Sequence, residues 1–529
     1  MISQMKNTLA VLLANMGFIL QISGVFILVP IVVSFILGET EAALALFMTA
    51  TCFLVLGFLT NSMCERRDMT FKQSCALIVL VFVLLSVIGS IPYLYIGFAD
   101  GTFLQHLTDG LFESVSGYTS TGFSVVPDLS VLPQSIILYR GLTEFIGGIG
   151  IVVVLLAFFY PEAKLREFAK SMGISKTNHK IKRTFLFIIA VYCIVTIIMV
   201  IIGYLGGFHD LISLASIIFA AMSTGGFSPV NDLTPLISQS PLNIIVPFCM
   251  VFGASNFLVL ATLYKRKIRE FIKSETTVFL VMVVFATGVL TFFFRYDGYL
   301  AGFHVISAMS TSGFSYVAIA GLNDSVKLFL VLLMFIGGAS FSTAGGIKLY
   351  RFLLVIKSIP QTVAFTIIGK DTKNSKVSLL NKKYTYSEVM QATTMIFLTA
   401  LAIFISSFIV SYYGYKPVNA IFDCTSAVAT TGLSAGVVGP TLPLELKWMF
   451  MLLMILGRVE IMVFLVALSR IPERRRGNHQ SVVARIEALG KKQEKDAAKE
   501  LDAEEEDKEE AEEKDSDSDI DAQIREELP

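Results

Sequence analysis

The sequence predicts an all-α polytopic membrane protein: ten transmembrane helices, formed by an N-terminal helix pair followed by four copies of one helix–loop–helix unit. Three observations predict it. The chain is 54% hydrophobic and only 16% charged, against ~25% charged in an ordinary soluble domain. Apolar runs near the ~20 residues that span a bilayer recur from one end to the other. And one short stretch, Ser120-Thr121-Gly122-Phe123-Ser124, returns as Thr224-Gly225-Gly226-Phe227-Ser228, Thr311-Ser312-Gly313-Phe314-Ser315 and Thr430-Thr431-Gly432-Leu433-Ser434. Self-similarity on this scale defines a fold before any single element does.

The four copies agree beyond these letters. Ser stands two places after each glycine. Small residues stand five places before it (Gly117, Ala221, Ala308, Ala427) and six before it (Ser116, Ala220, Ser307, Ser426). Such loops bring hydroxyls and backbone carbonyls but no charge, and glycine admits backbone angles that a side chain forbids. Four of them converging on one axis would form rings of carbonyls able to replace the water shell of a weakly hydrated cation. The expected architecture is therefore four pseudo-symmetric helix–pore-loop–helix repeats around one pore. Ordinary Gly-containing turns are the alternative, but turns need no shared Ser two residues on.

In chain order, the apolar run from about Leu9 to Leu37 is too long for a signal-peptide core and lacks a clear cleavage site, so it reads as an uncleaved helix. A second runs from about Glu41 to Met63. In the first unit a helix over Ser74–Tyr95 precedes the amphipathic Leu104–Tyr118, too short to span, and Ile136–Tyr160 closes the unit. Non-helical backbone at membrane depth survives only where protein or a watery cavity surrounds it. The outer pairs of the next units are Phe185–Leu205 with Asn243–Tyr264, Thr277–Phe294 with Leu328–Ile356, and Val389–Tyr412 with Leu446–Ser469. The division follows: an N-terminal pair over 1–72, units over 73–183, 184–275, 276–386 and 387–473, and a cytoplasmic acidic tail over 474–529.

Basic residues cluster after each unit: Lys164 to Arg183, Lys265 to Lys273, Lys370 to Lys383 and Arg474 to Arg476. The segments flanking the first two filter loops, Gly97–Pro133 and Gly206–Asn243, hold no Lys or Arg. Since basic residues stay cytoplasmic, the filters open outward and both termini lie inside, which suits the cell (inner) membrane. The formal net charge of zero hides a tail from Lys492 to Pro529 with eighteen acids and six bases, hence −12, and +12 elsewhere; its composition predicts disorder. The six cysteines have no paired spacing and read as thiols.

Acids are present on the filter side: Asp100, Asp109, Glu113, Asp128, Asp210, Asp232 and Asp423, with Glu113 and Asp423 both nine places before their glycine. They read either as a negative vestibule or as loop acids and helix caps. The third unit carries Gly337-Gly338-Ala339-Ser340-Phe341-Ser342-Thr343-Ala344-Gly345-Gly346-Ile347-Lys348, poor helix material, which predicts an unwound loop across the pore below the filter, able to act as a gate; a small-residue helix interface is the alternative. Aligning the second helices on Gly148, Gly253, Gly338 and Gly457 puts Arg458 where the other units have Ile149, Ala254 and Ala339. An intramembrane charge is a functional candidate, with an ion pair to Glu460 as the structural alternative. Arg140 lies nearer the outer end of its helix and suits a snorkelling or helix-pinning role.

Together the four Gly-centred loops, the extra helix pair, the Gly/Ser break and the lone Arg458 resemble the TrkH potassium-uptake proteins, which form a superfamily with KtrB and the plant HKT transporters. The resemblance covers roughly Met1 to Glu473, and ten helices favour the TrkH over the eight-helix KtrB type. It implies K⁺ held at the filter residues as the transported ion, no catalytic residues, a homodimer, a bilayer and no nucleic acid as surroundings. It also implies a cytosolic TrkA-type ring as regulatory partner, with nucleotide (NAD or ATP/ADP) bound only on that partner and no cofactor in this chain. In the related plant proteins Ser at the first filter glycine goes with sodium transport; here that position is Gly122. The acidic tail departs from the common pattern. Competing readings are a KtrB-like Na⁺-dependent K⁺ transporter and a non-transporting receptor or scaffold. A membrane enzyme has little support, since His106, His179, His209, His304 and His479 are scattered and no His-Glu-x-x-His stands out.

Overall fold

The structure is a computed structural model that describes residues 2–63, 69–98, 101–158, 181–257, 259, 268–368, 376–380 and 382–469. The basic loop between units one and two and the acidic tail, on which the sequence places charge and disorder, lie outside the described residues, as do Asp100 and Arg474 to Arg476.

Helices account for nearly every described element, and their order repeats. After the pair Ile2–Leu37 and Thr40–Met63, each unit runs long helix, short helix, filter segment, second helix. The long helices are Phe71–Gly89 (continued by Ile91–Ile96), Ile181–Leu205, Glu275–Phe293 and Tyr386–Tyr412; the short ones are Phe103–Tyr118, Leu211–Met222, Gly298–Ser310 and Pro417–Val428. Sequence chemistry sets their starts. Thr70 with Gln73, Thr102 with Gln105 and Thr385 with Glu388 form reciprocal capping boxes. The side chains of Asp210 and Asp297 cap the short helices of units two and three.

Among the described residues seven helices are long and apolar enough to cross a membrane, and the pair Leu444–Val459 and Ile461–Leu468, bent by 99°, makes an eighth if counted as one span. Their outward faces carry large apolar residues: Phe292, Phe293, Phe408 and Tyr412 are each at least 70% exposed. On a soluble protein such a band would be a sticky patch; on a multi-span membrane protein it faces lipid.

The second helices depart from the expected single spans. Among the described residues, only Gln134–Phe158 of the first unit runs unbroken. The second unit's stops at Ala254, the third unit's at Ile336, and the fourth unit's is broken at Glu460, whose φ is +71°. The sequence expectation placed a break only in the third. The other two are short, one or two residues long, and carry no glycine run, so composition does not announce them.

Small residues let the N-terminal pair pack. A Cβ on Gly17 would stand 2.6 Å from the Gly57 carbonyl oxygen, and one on Gly57 2.8 Å from that of Gly17, so the two backbones touch. Glu39, between these helices, accepts bonds from the backbone N–H groups of Gln134 and Ser135 at 2.8 and 3.0 Å. One carboxylate thus ties the pair to the start of the first unit's second helix, where N–H groups lack helical partners.

A two-stranded antiparallel hairpin, Lys376–Leu379 with Lys382–Thr385, follows the third unit. Its Val377, Leu379 and Tyr384 pack against Leu354 and Ala392. The strands are four residues long and rich in Lys, a pattern too short to read as β from sequence.

Candidate functional site

The four Gly-centred segments expected to form a filter share one backbone trace. Each short helix ends in a residue with left-handed φ: Ser120 (+52°), Thr224 (+53°), Thr311 (+55°) and Thr430 (+48°). Two residues on, the glycines have φ of +87°, +96°, +75° and +88°. The N–H between them bonds back to the carbonyl of the small residue five places earlier: Thr121 to Ser116, Gly225 to Ala220 and Ser312 to Ser307 at 2.9 Å, Thr431 to Ser426 at 2.7 Å. This is the 6→1 bond of a Schellman cap, which normally uses glycine at the left-handed site. Here three of the four are threonine, a β-branched residue strained in that region.

The glycines close a ring. A Cβ on Gly122 would overlap the carbonyl oxygen of Gly225, one on Gly226 that of Ser312, one on Gly313 that of Thr431, and one on Gly432 that of Thr121. Each unit's glycine therefore faces the next unit's carbonyl, in the order one, two, three, four and back to one. The residue after each glycine packs away into protein: Phe123, Phe227, Phe314 and Leu433 are all at most 2% exposed.

The second helices press on the short helices through glycine. A Cβ on Gly147, Gly253 or Gly457 would overlap the carbonyl oxygen of Tyr118, Met222 or Val428 respectively, each four residues before its filter glycine. The structural register thus uses Gly147 where the sequence alignment used Gly148; Gly148 instead faces Ser223 of the second unit.

The Gly/Ser run of the third unit is unwound from Gly337 to Lys348, with φ of +71° at Gly337, +54° at Phe341, +74° at Gly346 and +72° at Lys348. It is held tightly. Thr343 Oγ1 bonds the carbonyls of Met222 (3.2 Å) and Gly253 (3.0 Å) and meets Thr224 Oγ1 at 3.2 Å. Gly345 N–H bonds Thr311 Oγ1 at 2.7 Å, and Ser340 and Tyr350 N–H groups both bond the buried carboxylate of Glu275. The loop hangs from the same threonines that end the short helices. Lys348 Nζ donates to the Ala344 carbonyl within the loop.

Arg458 donates to the Thr343 carbonyl at 2.8 Å and to the Gly147 carbonyl at 2.5 Å. It therefore bridges the unwound loop to the first unit's second helix. Its expected alternative partner, Glu460, instead pairs with Arg351 at 2.8 Å.

Of the filter-side acids, Asp128 and Asp210 are the expected caps, and three others are buried in bonds that the sequence did not indicate. Glu113 is fully buried and paired with Arg140; Asp109 is buried and paired with Lys447 at 2.5 Å; Asp423 is fully buried and takes N–H groups of Ala435, Val437 and Val438. Asp128, Asp210 and Asp232 bond turn or helix-start N–H groups. For Asp109, Glu113 and Asp423, internal bonding wins over an open vestibule; Asp210 and Asp232 stay exposed. The Ser130 N–H, then the Asn231 side chain, holds the Asp128 carboxyl below its usual range. Arg140 does not snorkel: it is 1% exposed, with its guanidinium 4.0 Å from the centre of the Phe227 ring, so it pins the first unit to the second. Arg140→Met leaves Glu113 buried and unpaired, and thermal unfolding in detergent should show a loss of about 3–5 kcal/mol. Adding Glu113→Gln should recover much of it; an unchanged midpoint in the single variant would mean that the pair carries no net stability.

Besides Glu275, Arg351 and Lys447, two residues that the sequence reading missed bear on the Gly-centred loops. Glu144, fully buried on Gln134–Phe158, accepts the Phe227 N–H at 3.0 and 3.2 Å. His304, passed over as one of five scattered histidines, stands nine residues before Gly313 and faces the Tyr316 N–H at 3.3 Å. Stacking the four units on their glycines exposes His304, and its place as an acid inside the expected span Ile136–Tyr160 exposes Glu144.

A family model described as TrkH, cation transport protein, matches residues 270–476. An uncharacterized cation transporter of Methanocaldococcus jannaschii is 29% identical over 477 residues, 87% of this chain and 95% of its own length. The Trk system potassium uptake protein TrkH of Salmonella typhimurium is 25% identical over 424 residues, 76% of this chain and 86% of its own. In fold the chain is similar to the crystal structure of the potassium transporter TrkH from Vibrio parahaemolyticus, with a TM-score of 0.73 and 22% identity over 87% of this chain and 99% of that one. Family model, relatives and fold point the same way: over most of its length the chain is similar to TrkH cation transport proteins.

Proposed function

We propose that this chain is the potassium-translocating membrane subunit of a Trk-type uptake system. The ring of glycines, each against the next unit's carbonyl, is the observation that carries the reading. Carbonyls of Thr121, Gly225, Ser312 and Thr431 arranged around one centre, with no charged side chain among the filter residues, suit a cation that sheds its water easily. The unwound segment 337–348 with Arg458 lies beneath, bonded to the filter threonines, and forms the constriction that gates flow. Ten crossings, outward-facing filters, cytoplasmic termini, a homodimer and a TrkA-type nucleotide-binding partner complete the proposed arrangement.

Rubidium uptake by proteoliposomes holding the purified chain, with sodium as competitor, tests this reading. Selective uptake is expected; none in a folded, correctly inserted preparation would leave a receptor or scaffold on the same fold. Orientation has its own test. In a Cys-free background, cysteines at Asp128 and Asp232 should react with an impermeant thiol reagent added outside whole cells, and cysteines at Lys176 and Lys373 should not. The reverse pattern would turn the molecule over.

A further inference from the structure

Nine residues before each filter glycine stand Glu113, Ile217, His304 and Asp423; three residues after it stand Val125, Pro229, Tyr316 and Ala435. Where the later residue has an N–H, the earlier side chain accepts it. Glu113 Oε1 takes the Val125 N–H at 2.6 Å, His304 Nε2 the Tyr316 N–H at 3.3 Å, and Asp423 Oδ1 the Ala435 N–H at 2.6 Å. In the second unit proline offers no N–H, and the partner position is the apolar Ile217. There Glu144 reaches in from another helix and takes the Phe227 N–H, two residues earlier in the strand.

Acceptor and donor thus come and go together across four copies in one chain. The acceptors differ in kind: a carboxylate paired with Arg140, an imidazole, and a carboxylate with no cation bonded to it among the described residues. What they share is the bond to the strand leaving the filter. The imidazole fits the role, since Nδ1 lies 2.8 Å from the Leu300 carbonyl and, placed there as the N–H, leaves Nε2 free to accept. A side chain placed only to fold its helix has no reason to vanish when a proline appears twelve residues on.

We propose that Glu113, His304 and Asp423, with Glu144 standing in for the second unit, are positioning residues for ion selectivity: each ties the outgoing strand of its filter loop to the helix behind it. The incoming side is already fixed by the 6→1 bond of the helix cap. With both sides tied, the strained left-handed residue and the ring of carbonyls cannot relax toward or away from the axis. The proposal rests on the reading of the ring as an ion filter.

The test compares His304→Leu, which deletes the acceptor, with His304→Gln, which keeps a neutral one. It adds Asp423→Asn, isosteric but presenting an N–H₂ to backbone donors. Each variant is reconstituted, the folded protein is quantified, and the rubidium-to-sodium uptake ratio is read per folded molecule. His304→Leu and Asp423→Asn should lower the ratio about tenfold, the scale of one hydrogen bond, while His304→Gln stays near the unaltered protein. Unchanged ratios in His304→Leu and Asp423→Asn, with only the yield of folded protein reduced, would overturn the proposal and leave these residues a folding role. If His304→Leu does not fold, Asp423→Asn decides alone. Absence of selective rubidium uptake in the unaltered protein would instead overturn the filter reading itself.

Discussion

Gly122→Ser should lower the potassium-to-sodium uptake ratio at least about tenfold, equivalent to ~1.4 kcal/mol of lost discrimination. The expectation rests on contact. At φ +87° an L residue is strained, by about 1–2 kcal/mol in the left-handed region, and the added Cβ would overlap the Gly225 carbonyl oxygen. Either that carbonyl turns away or the two loops separate. Both change the ring for every ion that passes, because each loop bears on the next. The same argument applies to Gly226, Gly313 and Gly432, whose Cβ atoms would strike Ser312, Thr431 and Thr121. Rubidium and sodium uptake measured side by side on the four single variants checks it. If all four keep the original ratio, the ring is not the selective element.

Arg458→Ala should raise rubidium flux several-fold and Arg458→Lys should keep most of the restraint. Arg458 is a fixed positive charge, 7% exposed, whose described hydrogen bonds go to two carbonyls, Thr343 and Gly147. A guanidinium holds two such acceptors at once and stays charged. It clamps the unwound loop to the first unit's second helix, and on the proposed reading it also raises the barrier for a cation below the filter. Hydrogen bonds to a charged group contribute about 1.5–3 kcal/mol each, so losing both frees the loop. Lysine restores the charge and one bond. Flux from proteoliposomes at matched folded protein separates the outcomes. Equal flux in all three proteins would place Arg458 in packing alone, and loss of folded Ala but not Lys variant would mark it as a structural cation.

Much of this site was legible because its constraints are local. A left-handed residue, a glycine at positive φ and a 6→1 cap bond involve backbone within six residues, so they leave small residues and glycine at fixed offsets, and four copies make those offsets visible. The Gly337–Gly346 run was legible for the same reason: composition alone prevents a helix there. The breaks at Ser255 and Glu460 were not, because they are imposed on otherwise helical sequence by what packs around it.

By itself, then, the sequence determined the helical membrane class, the four repeated Gly-centred segments, the unwound loop and the place of Arg458 as the lone cation at its aligned position. Only the tertiary structure decided who meets whom. It turned Glu113 and Asp423 from surface acids into buried acceptors, because desolvating a carboxylate is tolerable only where donors converge, and those donors lie eleven or more residues away or on another helix. It moved Arg140 from the membrane boundary to the Phe227 ring and gave Glu460 to Arg351 rather than to Arg458. It also supplied Glu144, which accepts the Phe227 N–H in the Gly-centred loop of a different unit. Periodicity and offsets encode what a segment does with its own backbone; partners drawn from distant segments are set by the packing of the whole chain.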